Sequence, residues 1–478
     1  MNGRRELVLG IDLGTTTVKA CLVTGSKEPL VSLARQTQAT QPSDVGSSGS
    51  EQAAHKICTA VQFCVSQLPK EQLARVTRVA VSGQMHGVVL WKQDGGWRRN
   101  PFGRFDVDAV SALYTWQDGR CSEQFLAELP KPDSHLRLSS GHGCATLLWL
   151  VRHRPEIMQR FDRAGTIQDM LVAMLCQLDR PVTSTQLAAS WGYFDTVSGT
   201  WNSDQLSAAG LPPGLLPDVA PPCRRAGSLN GAWYGVPSGT PVHVALGDMQ
   251  CSVLSAAVAA ETDAVCSPRL GCAVLNMSTS AQLSFLLGAG FDPRSSSLGP
   301  TVEHFPYFDG RYLAVAASLN GGNVLAAFVR VLQQWTHELG DGVPETTIWS
   351  RLLACAAAVD QSPTDDQIRV DPTLFGERHR PGARASVHGI GPQGVGLGGA
   401  MHALCRGLLQ NLHSMMPRDV LVKAGVTRIV GTGKALTRNP ALQQAVRDTY
   451  GLELVLGRSS DAALGAAIAV LLYGGCGS

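Results

Sequence analysis

The sequence has little charge and no long run of one sign. Only 16% of its 478 residues are Asp, Glu, Lys or Arg, and 40 basic side chains against 38 acidic ones leave a formal net charge of +2. Proteins that bind nucleic acid or an anionic membrane surface by electrostatic attraction carry clustered basic residues. Their absence argues against both kinds of partner and favours a small polar or anionic ligand.

Long apolar runs and paired cysteine motifs are also missing. The most apolar stretches, residues 251–260 and 462–472, are much shorter than the roughly 20 residues of a membrane-spanning helix. The first six residues are polar and lack the apolar core of a signal peptide. Thirteen cysteines occur without Cys-x-x-Cys spacing, and their odd number favours reduced thiols over a disulfide framework. These features predict a cytoplasmic protein.

Several catalytic signatures are incomplete or absent. Gly431-Thr432-Gly433-Lys434 is followed by Ala435, where a P-loop needs Ser or Thr, and the glycine-rich run at 389–394 is predicted to follow a Pro- and Arg-rich loop, not a strand. No His-Glu-x-x-His or Gly-x-Ser-x-Gly sequence occurs. P-loop, Rossmann, zinc-hydrolase and serine-hydrolase interpretations therefore lack the residues that would carry them.

The length and the pattern of segments predict an α/β protein of two domains. A single hydrophobic core usually stops growing at about 250–300 residues. Pro- and Gly-rich stretches at 210–222 and 235–241 place the predicted boundary between domains 1–241 and 242–478.

Alternating strand and helix patterns occur on both sides of this boundary. Strands are predicted at 7–12, 18–23, 78–82 and 242–246, and helices at 51–67 and 251–260, with a turn at 247–250. Asp309-Gly310 predicts the turn of a second hairpin.

The strongest local motif runs from Gly10 to Thr17 and reads Gly-Ile-Asp-Leu-Gly-Thr-Thr-Thr. Glycine lets backbone N–H groups approach a phosphate closely, the threonine hydroxyls add donors, and Asp12 suits Mg²⁺ bound through water. A threonine-rich turn with a solvated aspartate is the alternative interpretation.

Several further motifs follow in an order that resembles the carbohydrate-kinase family of glycerol kinase and xylulokinase, whose fold is actin-like. Residues 12–16 resemble the first phosphate loop of that family, and Ser-Gly-Gln-Met-His-Gly at 82–87 resembles the sugar segment of its ketose kinases. Residues 116–120 are similar to the Trp-x-Asp-x-Arg of the sugar pocket, and Gly247-Asp248 to the Gly-Asp that supplies the general base. The second phosphate turn and the adenosine motif have counterparts at 278–280, 320–323, 431–440 and 461–467.

The resemblance implies two actin-like, ribonuclease-H-like domains with a cleft between them, and a reaction of a sugar with ATP and Mg²⁺. The sugar contacts implied are Gln84, Met85, His86, Trp116, Asp118 and Arg120, with Asp248 as the catalytic base. Asp12 is the implied metal residue. The implied nucleotide and phosphate residues are Asp12, Gly14, Thr15, Thr16, Thr279, Gly321, Gly322, Gly433 and Asn439.

Two departures and two alternatives accompany this interpretation. The Thr-Asp-x-Ser typical of the family reads Thr183-Ser184-Thr185 here, and its Gly-Thr-Ser reads Ser278-Thr279-Ser280. Residue spacing does not show whether the sugar substrate is xylulose, ribulose or a ketose of seven carbons. A nucleotide-gated, actin-like ATPase without a sugar acceptor is the alternative function, and a helix N-cap is the alternative role of Asp248.

Overall fold

The computed structural model describes residues 6–101, 103–259, 271–295, 298–358, 368–392, 394–457 and 461–475. The chain forms two compact units. The first consists of Met1–Ser255, Phe305–Gly310 and Asp461–Ser478, and the second of Ala256–His304 and Arg311–Ser460. The boundary predicted after residue 241 falls on a strand whose sheet belongs to the first unit.

The described strands are, in chain order, β1 (Leu7–Leu13), β2 (Thr17–Thr24), β3 (Pro29–Gln36), β4 (Thr40–Gln41), β5 (Glu51–Ala53), β6 (Val76–Gly83), β7 (Val89–Trp91), β8 (Trp97–Arg99), β9 (Phe105–Val107), β10 (Ala112–Tyr114), β11 (Arg163–Gly165), β12 (Val182–Ser184), β13 (Phe194–Asp195), β14 (Thr200–Trp201), β15 (Asp218–Ala220), β16 (Arg225–Ser228), β17 (Pro241–His243), β18 (Leu246–Gly247), β19 (Cys272–Met277), β20 (Ala281–Leu286), β21 (Glu303–Pro306), β22 (Tyr312–Ser318), β23 (Arg369–Asp371), β24 (Ser386–His388), β25 (Arg428–Thr432) and β26 (Glu453–Leu456).

The described α-helices are α1 (Ala54–Ser66), α2 (Lys70–Leu73), α3 (Glu123–Glu128), α4 (Gly143–His153), α5 (Pro155–Met158), α6 (Ile167–Cys176), α7 (Thr185–Ala189), α8 (Ser203–Ala208), α9 (Asp248–Ala259), α10 (Gly322–Glu338), α11 (Glu345–Ala357), α12 (Leu397–Met415), α13 (Arg418–Lys423), α14 (Lys434–Thr437), α15 (Pro440–Tyr450) and α16 (Ala462–Tyr473).

The main sheet of the first unit has the strand order β16-β17-β6-β1-β2-β3, with β18 also paired to β6. Strands β1 and β2 form an antiparallel hairpin, while β1, β17 and β18 each run parallel to β6. Every residue of β1 is buried because this strand lies inside the sheet and is covered by helix α16. The carboxyl ends of β1, β6 and β18 therefore meet at one edge of the sheet.

The main sheet of the second unit repeats this arrangement. Its order is β21-β22-β20-β19-β25-β26, with antiparallel pairing of β19 with β20 and of β20 with β22, and parallel pairing of β25 with β19 and β26. The path β22-β20-β19-β25-β26 thus matches β3-β2-β1-β6-β17 in order and direction. This repetition agrees with the predicted pair of ribonuclease-H-like α/β domains.

Each unit buries its own apolar layer between sheet and helices. In the first, α16 approaches β1 so closely that a Cβ at Gly10 would lie 2.1 Å from the carbonyl oxygen of Ala463. In the second, Leu275 and Phe285 of the sheet pack with Leu408 of α12 and Tyr450 of α15. No helix in the described part of the chain is long and apolar enough to cross a membrane.

Of three local predictions, the turn at 309–310 is confirmed, the turn at 247–250 is wrong, and the helix from residue 51 begins three residues later. The predicted turn at Asp309-Gly310 has φ values of 56° and 66°, as a type I′ hairpin requires. The turn predicted at 247–250 is wrong, because α9 already begins at Asp248, whose Oδ1 accepts a hydrogen bond from the Met249 amide at 2.8 Å. The helix predicted from residue 51 begins at Ala54, since 51–53 form strand β5.

Candidate active site

Two aspartates lie at the carboxyl edge of the first unit's sheet. Asp12 is the penultimate residue of β1 and stands opposite Ser82 of β6, while Gly247, the residue before Asp248, pairs with Gly83. Since β1 and β18 flank the same strand in parallel, their ends deliver both carboxylates to one region. Asp12 and Asp248 are far apart in the sequence and were predicted to belong to two different domains.

Both carboxyl groups have a raised affinity for protons. Burial raises the pKa of Asp12 to about 6, against the opposing effects of Lys19 and of a 3.1 Å hydrogen bond from the Ser82 hydroxyl. Removal from water and the charge of Asp12 raise the pKa of Asp248 to about 8. A pair of this kind suits the acceptance of a proton or the binding of a cation.

The raised pKa values predict a pH-dependent stability of the ligand-free protein. A carboxyl group whose pKa is higher in the folded than in the unfolded chain stabilises the fold while protonated, and that stabilisation is lost as pH rises through the folded-state value. We therefore expect this pair to lower the melting temperature progressively between about pH 4 and pH 8. In Asp248→Asn the melting temperature should fall less over this pH range. An equal fall in both proteins would contradict the contribution of Asp248.

The predicted phosphate loop contacts the predicted sugar residues within the first unit. The Thr15 hydroxyl accepts a hydrogen bond from Trp116 Nε1 at 3.1 Å and donates to Gln84 Oε1 at 3.4 Å. Gln52 joins them, because its Nε2 donates to the Thr15 carbonyl at 2.7 Å and its Oε1 accepts from Gln84 at 3.1 Å. Thr16 is exposed at the tip of the turn. Three motifs distant in sequence thus meet around Thr15.

Gly14 shapes the same turn by its lack of a side chain. A Cβ at this position would lie 2.8 Å from the Thr17 carbonyl oxygen and 3.6 Å from an Asp12 carboxylate oxygen. The hairpin therefore closes tightly beside Asp12, as the predicted phosphate loop requires.

The sugar segment contains a strained turn at His86. This residue has φ 71°, and the Gly87 amide donates to the Met85 carbonyl at 2.8 Å across it, which defines a γ-turn of positive φ. Backbone strain of this kind persists only where the surroundings fix it, and it occurs often at functional sites. The His86 ring stacks on His142 with centroids 4.9 Å apart. Met85 and Gln84 on its N-terminal side are buried.

Asp118 and Arg120 form a buried ion pair that fixes the loop carrying Trp116. Arg120 donates from Nε to Asp118 Oδ1 at 2.7 Å and from Nη2 to Oδ2 at 2.9 Å, and Nη2 also contacts Glu51 at 2.7 Å. The guanidinium lies 4.3 Å from the centre of the Tyr114 ring. Both charged side chains are at most 1% exposed. Their contacts are with protein groups and hold the loop after β10 in place.

Four of the predicted nucleotide residues meet in the second unit. The β19–β20 turn contains Thr279, which is exposed, and the Gly322 amide at the start of α10 donates to the Ser278 carbonyl at 2.8 Å. A Cβ at Gly321 would lie 2.5 Å from the Ser280 carbonyl carbon, and one at Gly433 would lie 2.2 Å from the Met277 carbonyl oxygen. Glycine is therefore required where α10 and the end of β25 contact the turn.

Thr279, Gly321, Gly322 and Gly433 together form what we call the nucleotide cradle. In the repeated topology its β19–β20 turn corresponds to the β1–β2 turn of the first unit. Both turns connect the two strands of an antiparallel hairpin and carry threonine. The N-terminus of the long helix α10 adds backbone N–H groups and the positive end of a helix dipole, which attract phosphate. Each unit thus supplies one hairpin turn suited to phosphate.

Asn439 is buried and bonded to groups of its own surroundings. It precedes α15 as the N-cap, with its side-chain oxygen accepting from the Leu442 amide at 3.2 Å and its nitrogen 3.6 Å from the Cys405 sulfur. Only 4% of the residue is exposed. Its observed contacts are those of a structural cap, and its predicted role toward the nucleotide stays a prediction.

Three site residues escaped the sequence analysis. Gln52 contacts Thr15 and Gln84, Ser190 contacts His86, and Gln186 contacts Gly247. Gln52 and Ser190 belong to no motif that signals chemistry, and Gln52 lies in a range predicted as helix. Gln186 directly follows Thr183-Ser184-Thr185 in the family-like segment, but no role was predicted for it. Only their tertiary contacts identify them.

Comparison with known proteins agrees with this fold. The model of the N-terminal domain of the FGGY family of carbohydrate kinases matches residues 7–255. The sedoheptulokinases of Mus musculus and Homo sapiens are each 47% identical to this chain, with 98% of both sequences covered in each comparison. The chain belongs to the FGGY family of carbohydrate kinases, the enzymes that transfer a phosphoryl group to a sugar.

Solved structures of low sequence identity share the fold. The xylulose kinase from Rhodospirillum rubrum superposes with a TM-score of 0.79 at 20% identity, covering 98% of this chain and 90% of that chain. Plasmodium falciparum glycerol kinase with ADP gives a TM-score of 0.76 at 17% identity, covering 99% and 90%. The predicted fold class is confirmed.

Proposed function

We propose that this chain phosphorylates sedoheptulose with ATP and yields sedoheptulose 7-phosphate, the reaction that feeds this sugar into the pentose phosphate pathway. The observation that carries the proposal is the meeting of the phosphate loop and the sugar segment at Thr15. The seven-carbon substrate is inferred from the 47% identity with two sedoheptulokinases over nearly the whole chain.

Asp248 is the proposed catalytic base. Its raised pKa suits a carboxylate that takes a proton from a sugar hydroxyl near neutral pH. Gln84, Met85, His86 and Trp116 are the proposed sugar contacts, with the His86 turn shaping the pocket. Asp118 and Arg120, which were predicted as direct sugar contacts, are proposed to support Trp116 through their buried ion pair.

Asp12 is the residue proposed to hold Mg²⁺. No cluster of three or more His, Cys, Asp or Glu side chains suited to a metal occurs in the described part of the chain. A hydrated Mg²⁺ needs only one or two carboxylates, and the buried Asp12 carboxylate at the end of β1 fits that requirement. The ion would neutralise charge on the phosphates during transfer.

The remaining proposals concern the nucleotide and the compartment. Gly14, Thr15, Thr16 and Thr279 are proposed phosphate residues, while Gly321, Gly322, Gly433 and Asn439 are proposed to admit the nucleotide. Reaction in a cleft between the domains and a cytoplasmic location are also proposed. In the described fold the proposed base Asp248 belongs to the first unit, although the sequence assigned it to the second domain.

A substrate panel tests the proposed function. ADP release by the purified protein is measured with ATP and Mg²⁺ against sedoheptulose, xylulose, ribulose and glycerol, and kcat/KM is compared. We expect the highest value for sedoheptulose. A preference for glycerol would contradict the ketose assignment. An equal rate of ADP release with and without each sugar would favour the alternative of an actin-like ATPase.

A further inference from the structure

We propose that helix α7 with Ser190 is the positioning element of the site, in which Gln186 aligns the peptide bearing the base and Ser190 aligns the strained sugar turn. The inference rests on the proposed function, since it assigns to α7 the geometry of residues given roles there. It adds two residues that act through their contacts with the Gly247 amide and with His86.

Gln186 fixes the backbone directly before Asp248. Its side chain is fully buried, and its Oε1 accepts a hydrogen bond from the Gly247 amide at 3.2 Å. The space around Gly247 is filled as well, because a Cβ there would lie 2.2 Å from Gln250 Oε1 and 2.9 Å from Met85 Sδ. The direction of the Asp248 side chain therefore depends on a peptide that Gln186 holds from α7.

Ser190 fixes the turn of the sugar segment from the other end of α7. Its hydroxyl accepts from the His86 amide at 3.1 Å, and its carbonyl oxygen lies 2.9 Å from His86 Nδ1. The same hydroxyl donates to the Leu187 carbonyl at 2.7 Å, so that its orientation is set by α7 itself. These bonds hold both the amide and the ring of the residue with φ 71°.

Helix α7 is itself firmly anchored. The Ser184 hydroxyl caps it by accepting from the Leu187 amide at 3.4 Å, and the preceding strand β12 pairs with β15. Thr183 of that strand also forms a bridge with Ala245, just ahead of β18. Gln186 and Ser190 are four residues apart, about one helical turn. One short anchored element therefore sets the geometry of both the base and the sugar turn.

Loss of the Gln186 contact is expected to affect mainly kcat, and loss of the Ser190 contact mainly the KM for the sugar. Gln186→Leu removes the acceptor of the Gly247 amide at similar volume, so we expect kcat to fall about tenfold or more with little change in the KM for the sugar. Ser190→Ala removes the acceptor of the His86 amide, so we expect the sugar KM, and the Kd measured by calorimetry, to rise about tenfold with a smaller change in kcat. Ser190→Thr, which keeps the hydroxyl, should restore sugar binding.

A pH profile adds a readout that general loosening of the fold does not produce. Gln186→Glu keeps an acceptor for Gly247 but adds negative charge next to the peptide of Asp248. The acidic limb of the kcat profile should therefore move to higher pH than in the unaltered chain. This variant also keeps the inference testable if Gln186→Leu folds poorly.

Gln62→Leu is the matched control. Gln62 is also buried, and it bonds the Phe105 backbone through both side-chain atoms, at 2.9 Å and 2.7 Å, without contact to a site residue. Its loss should lower the melting temperature and leave kcat and sugar KM unchanged. The inference is overturned if Gln186→Leu and Ser190→Ala behave like this control while the unaltered chain phosphorylates sugar. Absence of sugar-dependent ADP release from the unaltered chain would instead contradict the proposed function.

Discussion

Replacing Asp248 by asparagine is expected to lower kcat roughly 10²–10⁴-fold while the protein folds normally and binds both ATP and sugar. The side chain lies at the carboxyl edge of the sheet, and its raised pKa fits a group that takes up a proton near neutral pH. Asparagine keeps the shape but cannot accept the proton as a carboxylate does. The loss falls on turnover because the carboxylate acts in the chemical step.

The same substitution separates catalysis from helix capping. Asp248 Oδ1 accepts the Met249 amide hydrogen at the start of α9, and an asparagine side-chain oxygen can accept it as well. A structural aspartate would therefore give near-normal kcat, and that result would exclude Asp248 as the base. Asp204→Asn, at an exposed aspartate in the first turn of α8, is the matched control and should leave kcat unchanged.

Replacing Glu377 by leucine is expected to lower the free energy of unfolding by about 3 kcal/mol or more. Glu377 is fully buried in the second unit. Its Oε1 accepts from the Ser318 hydroxyl at 2.6 Å, from Asn320 at 2.8 Å and from Asn411 at 2.7 Å, while Oε2 accepts from the Leu319 amide at 3.0 Å. Leucine would leave these buried donors without their acceptor.

This network also bears on the nucleotide cradle. Asn320, which directly precedes Gly321, is held by Glu377 and by the Gly376 carbonyl at 2.8 Å. We therefore expect Glu377→Leu to raise the KM for ATP in addition to lowering the melting temperature. Glu338→Leu alters an exposed glutamate at the end of α10 and is the control. Equal melting temperatures and equal ATP KM values in the two variants would contradict a role for Glu377.

Part of the site was predictable because its chemistry is local. The Gly-x-Asp-x-Gly-Thr pattern at 10–15 and the Asp-Gly turn at 309–310 are local signals, because Gly and Asp tolerate the backbone conformations of tight turns. Asp12 and Thr15 were predicted from the pattern at 10–15, whereas Gln84 and Trp116 were implied only by the family resemblance; the fold brings Thr15, Gln84 and Trp116 into contact.

The rest depended on contacts that no local pattern contains. A positioning role can be assigned to Gln186 and Ser190 only because they contact Gly247 and His86 in the folded chain. Arg120 and Asp118 have the residue types of a sugar pocket, yet their burial against each other is a tertiary fact. The start of α9 was missed because Gly-Asp serves equally as a turn and as a helix N-terminus.

The most direct test of the central claim is the fate of the phosphoryl group. The purified chain is incubated with ATP, Mg²⁺ and sedoheptulose, and the products are followed by phosphorus NMR and mass spectrometry. Transfer predicts equal amounts of ADP and a sedoheptulose monophosphate carrying the phosphate at the terminal seventh carbon, with neither formed when the sugar is omitted. Inorganic phosphate as the only new phosphorus product, or ATP left intact beside the sugar, would contradict it.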